Sequence, residues 1–222
     1  MKIFMCFLRY AIYLVVAICF SYSVAGSFED FFVAIKRDDR NAVATLLQRG
    51  FDPNTVDGSG DPALLLAVRQ SAWTVLEELL RAPDVRVEVR NRADESPLML
   101  AALSGRAALC RQLIQMNADV NKTGWTPLHY GATNGHLEVM QLLLDEHAYI
   151  DAESPNLTTP LMMAAHYGTA QAVKLLLDAG ADPTLKNIQG LNAIDFAQRA
   201  NRVDSVQLLQ QAIRSRQPKG SW

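Results

Sequence analysis

Apolar residues in this chain fall into short runs that alternate between two kinds. The first kind opens on a proline and runs almost unbroken: Asp61-Pro62-Ala63-Leu64-Leu65, Ser96-Pro97-Leu98-Met99-Leu100, Thr126-Pro127-Leu128-His129-Tyr130 and Thr159-Pro160-Leu161-Met162-Met163. Asn192-Ala193-Ile194-Asp195-Phe196 is a fifth copy with Ala in place of Pro. The second kind carries apolar residues at helical spacing, as in Leu137, Met140, Leu143 and Leu144, or Val173, Leu176 and Leu177. The five opening motifs are spaced by 35, 30, 33 and 33 residues. Gly105, Gly135 and Gly168 stand eight residues past their prolines, and the pairs Leu113-Ile114, Leu143-Leu144 and Leu176-Leu177 hold register behind them. A fixed period of this size marks a repeat architecture.

Each unit predicts a helix, a turn, a second helix and a loop. Ser or Thr caps the first helix, and Pro fits its first turn, where the missing N–H costs nothing. The small pairs Ala101-Ala102, Gly131-Ala132 and Ala164-Ala165 predict close approach of neighbouring first helices. The glycine at the eighth position predicts a left-handed helix end. Gly180-Ala181-Asp182 then turns the chain towards the next unit.

The residues Gly124-Trp125-Thr126-Pro127-Leu128-His129 through Ala132, with Gly135-His136-Leu137-Glu138-Val139 and Leu142-Leu143-Leu144, resemble the ankyrin repeat consensus. The resemblance covers residues 28–214, about six units with degenerate caps at Phe28–Asn54 and Leu191–Ile213. It implies an all-α helix-turn-helix solenoid. The caps carry the polar faces that array ends need. Three departures stand out. The motif His occurs only as His129, with Leu64, Met99, Met162 and Asp195 elsewhere, which implies looser junctions. The loop between Asn121 and Pro127 is three residues short of the consensus. The unit at Pro62 carries two extra residues, one near Ala72-Trp73 and one near Pro83-Asp84.

Residues 1–25 read as an address rather than part of the fold. Lys2 and Arg9 precede the apolar run Tyr10 to Phe20, and Ser23 and Ala25 place small residues for cleavage after Ala25. The run is short for a membrane span. The expectation is an exported chain, periplasmic or secreted; an uncleaved anchor in the inner membrane, facing the periplasm, is the alternative. The domain plan is a signal segment at 1–25, the array at 26–214 and a flexible basic tail at 215–222. Cleavage takes the net charge from −2 to −4 and leaves Cys110 as the sole thiol, so packing rather than a disulfide holds the fold. Cys110 reads as a buried structural thiol.

With 21 basic and 23 acidic residues among 222, the chain has no electrostatic footprint for nucleic acid. No nucleophile, metal-ligand or phosphate-loop motif stands out. Asp57-Gly58-Ser59-Gly60-Asp61 reads as a turn, and Asn156-Leu157-Thr158 fits a glycan acceptor. The expectation is a monomeric, non-catalytic protein needing no cofactor or metal, with a protein partner and membrane contact only if the first segment is retained. An immunity, inhibitor or effector role on a secreted or periplasmic enzyme is the alternative.

The resemblance places three residues of each first helix on the concave surface of the array. They are Leu65, Val68 and Arg69; Leu100, Leu103 and Ser104; Tyr130, Thr133 and Asn134; Met163, His166 and Tyr167. The spacing i, i+3, i+4 puts each set on one helical face. The candidate partner-binding residues are Trp125, Tyr130, Asn134, Met163, His166, Tyr167 and Arg69, with Trp125, Tyr130, Met163, His166 and Tyr167 forming one aromatic and Met-rich patch.

Overall fold

The computed structural model describes residues 26–216. The segment read as a signal and residues 217–222 of the basic tail lie outside the described residues. Helical backbone over residues 26–36 forms α1. It is followed by α2 (Arg40–Gln48), α3 (Ala63–Arg69), α4 (Trp73–Arg81), α5 (Pro97–Leu103), α6 (Ala107–Gln115), α7 (Pro127–Asn134), α8 (Leu137–Asp145), α9 (Pro160–His166), α10 (Ala170–Asp178), α11 (Ala193–Arg199) and α12 (Val203–Arg216). No strand occurs among the described residues beyond one isolated bridge between Val56 and Pro62. None of the described helices is long and apolar enough to cross a membrane. The described residues divide into two compact units, one up to Arg86 and one from Val87 onwards.

Within the second unit, α5, α7, α9 and α11 pack side by side as a row of first helices, and α6, α8, α10 and α12 form a second row behind them. The short helices are nearly all apolar on the packed side. Leu98, Leu128, Leu161 and Ala197 are fully buried in the first row, and Cys110, Leu113, Val139, Leu143, Val173, Leu176 and Leu209 in the second. No 7- to 9-residue helix persists alone in water, so the packing of these faces is what makes them helical. The first unit repeats the plan with α3 against α4 and α2 against α4. Its core is Phe31, Ile35, Val43, Leu64, Leu65, Val75 and Leu79.

The structure corrects the register of one repeat. Pro62 is the N-cap of α3, standing where Ser96, Thr126, Thr159 and Asn192 stand in the other units, and Ala63 opens the helix. The left-handed Ser71 then matches Gly105 at φ 67, so no residue is inserted near Ala72. The extra residue lies at the end of α4, where Ala82 turns extended. Pro62 is tolerated at the cap because the bridge from Val56 already fixes the chain there.

Gly168 also departs from expectation. It is absent from the left-handed region that Gly105 and Gly135 occupy. Here the reason for glycine is proximity: a Cβ would lie 2.5 Å from the carbonyl oxygen of Ala132 in α7 and 2.9 Å from that of Ala164. Gly131 likewise does not face a neighbouring first helix; its nearest atoms belong to Val139 and Met140 of α8. The helical array continues through Ser215 and Arg216, two residues past the expected boundary.

Four tight turns close the loops ahead of the first helices. Asp57, Asn91, Ser154 and Asn187 each donate their backbone N–H to the carbonyl four residues on, at 2.9–3.2 Å. Asp57-Gly58-Ser59-Gly60-Asp61 is one of them, with the Asp57 carboxylate accepting the N–H groups of Ser59 and Asp61. The shortened loop at Asn121–Pro127 has no such turn. Lys122 folds into its place, only 8% exposed, and pairs with Asp94 of the preceding turn. Arg90 joins this network through Glu88, Asp94 and Asp119.

A second periodic device ties consecutive loops. The Asn54 amide donates to Asp84 O at 2.8 Å and accepts from Arg86 N at 2.7 Å. The Glu88 carboxylate accepts Asp119 N at 2.8 Å. Asn121 donates to His147 O at 2.8 Å and accepts from Tyr149 N at 2.7 Å. Asp151 accepts Asp182 N at 3.1 Å, while the Gly180 carbonyl takes a 3.4 Å bond from Arg216. Asp151, like Glu88, thus lacks the donor that the two asparagines supply. Burial raises its pKa above the ordinary carboxylate value, and the nearby Asp182 adds to this.

Asp151→Asn is expected to be more stable than the parent at pH 7, by about 1 kcal/mol or a few degrees in Tm, because the amide can make both bonds seen at Asn54 and Asn121. The raised pKa favours protonated Asp151 in the folded state. That contribution is complete below the unfolded value and fades as pH rises through the folded one, so the advantage of the variant shrinks towards acid pH. Thermal melts of both proteins at pH 7 and pH 4 check this. Gly168→Ala is expected to lose about 2–3 kcal/mol in urea unfolding because two backbone oxygens block its Cβ. Gly58→Ala, where a Cβ meets nothing within 4 Å, is expected to be near neutral.

Candidate functional site

Registering the first helices of the second unit on their caps lines up equivalent side chains. Tyr130, Met163 and Phe196 occupy one position in α7, α9 and α11; Thr133, His166 and Arg199 the next; and Asn134, Tyr167 and Ala200 the third. Phe196 and Arg199 are missing from the expectation drawn from sequence. Their signal is in the sequence, since counting from Ala193 as from Pro160 finds them, but the polar residues of 191–213 point to a cap.

The polar atoms along this row are largely engaged. Tyr130 OH donates to the Glu95 carboxylate at 3.4 Å. Thr133 Oγ1 donates to His129 O at 2.8 Å, and Asn134 Nδ2 to Leu103 O at 2.8 Å. His136 Nε2 lies 3.0 Å from the same Leu103 carbonyl. His166 Nδ1 lies 3.1 Å from Phe196 O. The Asn134 bond joins α7 to α5, and the His166 bond joins α9 to α11.

Among the described residues, the ring contacts of the expected patch form two groups, one at Trp125 and one at His166 and Tyr167. Trp125 meets the edge of His129 at 5.2 Å between centroids. His166 makes edge contacts with Tyr167 at 4.3 Å and with Phe196 at 5.9 Å. Tyr167 is 55% exposed, and its carbonyl accepts a 3.3 Å bond from Arg202. Met163, Tyr130 and Trp125 are half-buried and Asn134 is exposed, whereas Leu100 is buried and belongs to the packing. In the first unit, the corrected register gives Leu66, Arg69 and Gln70 the three positions, in place of Leu65, Val68 and Arg69. Leu65 and Val68 are buried, while Arg69 is exposed and its guanidinium pairs with Asp61.

His129 is fully buried and structural. Its Nδ1 accepts the N–H of Thr126 at 3.1 Å, which leaves the proton on Nε2 to donate to Thr158 O at 2.9 Å. The ring therefore closes its own helix cap and ties it to the following loop. Burial, with a smaller contribution from the Lys122 charge, lowers its pKa to about 4. Met99 and Met162 copy half of this: their sulfurs accept Ser96 N at 3.4 Å and Thr159 N at 3.5 Å, but a thioether has no proton for the onward bond. Asp195 closes its cap by accepting Asn192 N at 2.8 Å. Burial pushes the Cys110 thiol up to about 12, which makes it a poor nucleophile. Asn156 sits in its tight turn with Oδ1 2.5 Å from Ser154 Oγ.

Two ankyrin-repeat family models match this arrangement: one of three copies over residues 31–122 and 64–156, the other of many copies over 149–197. The chain belongs to the ankyrin repeat family. It is 33% identical over 175 residues to the human transient receptor potential cation channel subfamily A member 1, covering 74% of this chain. It is 28% identical over 169 residues to the mouse B-cell lymphoma 3 protein homolog, covering 73% of this chain. The chain spans only 16% and 38% of the length of those two relatives. Among solved structures, it resembles a chain of the Bdellovibrio bacteriovorus complex of a predatory endopeptidase with an immunity protein. The TM-score is 0.71 at 25% identity, with 82% of this chain and 97% of that chain covered. Ankyrin repeats mediate protein–protein interaction, and this chain is an interaction module of that kind.

Because His129 is neutral when folded and protonates near pH 6.5 when unfolded, its contribution is present above that value and is lost as pH falls towards 4. The expected loss is roughly 3 kcal/mol between pH 7 and pH 4. The check is an NMR titration in which the His129 ring stays neutral down to about pH 4, together with a flatter stability–pH slope in His129→Gln.

Proposed function

We propose that the chain binds a partner protein through the concave surface of its first helices, with Tyr130, Asn134, Met163, His166 and Tyr167 as the contact set and Trp125 at its edge. The observation that carries this reading is Tyr167, a large aromatic ring left 55% exposed against His166, which itself packs on Phe196. Such rings are the usual anchors of interfaces. Arg69, in the first unit, is a separate candidate contact. The module acts as a monomer without chemistry of its own, since the described residues are taken up by helix pairs and their ties.

The export reading of residues 1–25 belongs to the same proposal: the chain works in the periplasm or outside the cell, or on the periplasmic side of the inner membrane if that segment is retained. The likeness to a chain from an endopeptidase–immunity protein complex favours one refinement. The partner is then a secreted or periplasmic enzyme that this chain restrains.

Tyr130→Ala and Tyr167→Ala together are expected to keep the melting transition within a few degrees while partner capture from periplasmic extract weakens tenfold or more, about 1.4 kcal/mol. Gross unfolding of the variant would assign both rings to packing instead.

A further inference from the structure

Resting on that reading, we propose that the first-helix surface of the second unit takes an acidic segment of its partner, seated with an apolar side chain on Met163 and Phe196 and a carboxylate on Arg199. The argument begins at Asp195. An acid four residues before an arginine on one helix ordinarily pairs with it. Here the Asp195 carboxylate is turned back to the N–H of Asn192 at 2.8 Å, closing the cap that His129 closes in α7. Arg199 is therefore left exposed at the last turn of α11, and no ion pair holds it among the described residues.

Its surroundings suit an anion with an apolar neighbour. Arg199 shares its position in the row with His166, whose Nδ1 is occupied by Phe196 O. Arg202 follows three residues later, exposed, with one guanidinium nitrogen on the Tyr167 carbonyl. The acid nearest in sequence that is exposed is Asp204, in the first turn of α12. Phe196, half-buried, stands one turn before Arg199 on the same helix, and the half-buried Met163 holds the equivalent position on the adjacent α9. An exposed planar guanidinium favours a carboxylate, which it can bind through two parallel bonds. A basic segment would meet Arg199 unpaired and be repelled.

The test uses the full chain and a phage-displayed random dodecapeptide library. Selected peptides are expected to be rich in Asp or Glu next to an aromatic or aliphatic residue. Synthetic copies are expected to bind Arg199→Glu at least tenfold more weakly and Arg199→Lys within a few-fold of the parent. Exchanging the acid of such a peptide for lysine is expected to recover binding to Arg199→Glu. Peptides without carboxylates, or affinities unmoved by Arg199→Glu, overturn the inference. If Tyr167→Ala weakens those peptides while Arg199→Glu does not, the surface reading stands and the acidic partner falls. A selection yielding no peptide sensitive to either change overturns both. Thermal melts keep the comparison fair, since Arg199 is exposed and its exchange leaves the core untouched.

Discussion

Among the described residues, the loops that link successive helix pairs are joined by side chains that reach from one loop to backbone groups of the next, and the order of the array depends on them. Asn54, Glu88, Asn121 and Asp151 do this at one position, and His129 does it at another. Only the His129 tie is buried, where an open group would cost more than the modest net gain of the bond; the others lie at or near the surface and contribute about that modest gain each. They also set spacing. A tie residue and its target lie about one repeat apart, so an insertion or deletion is tolerated only where the chain re-closes its own loop. The three-residue deletion after Asn121 survives because Lys122 and Asp94 replace the missing turn.

The ties are not equivalent. An amide both donates and accepts; a carboxylate only accepts. Glu88 and Asp151 therefore lean on nearby guanidinium groups, Arg90 and Arg216, that Asn54 and Asn121 do not need. The same distinction separates His129 from Met99 and Met162. Chemistry at single positions thus grades how firmly successive loops are joined while the helical packing behind them stays constant.

Much of this was legible in the sequence, because helix starts are set by local chemistry. Pro97, Pro127, Pro160 and Ala193 open helices where the repeat places them, and the capping residues Ser96, Thr159 and Asn192 take the bonds expected of them. The misreading at Pro62 has a physical source: proline fits both the cap and the first turn, and only the bridge to Val56 decides between them. Gly168 was misread because one residue type serves two needs, positive φ and close approach, and sequence does not distinguish them. The surface was legible in its positions but not in its pairings. Which rings touch depends on helix rotation, and the row's continuation into Phe196 and Arg199 lay hidden behind the polar composition of the last pair.

Gly168 carries one more consequence. A Cβ there would strike the Ala132 carbonyl, so the end of α9 is packed closely on α7, and Tyr167 projects from that close-packed turn. An aromatic side chain has only two torsions to lose, and here the backbone beneath it has already surrendered its freedom during folding. The entropic toll that usually accompanies capture by an exposed side chain is therefore largely settled before any visitor arrives.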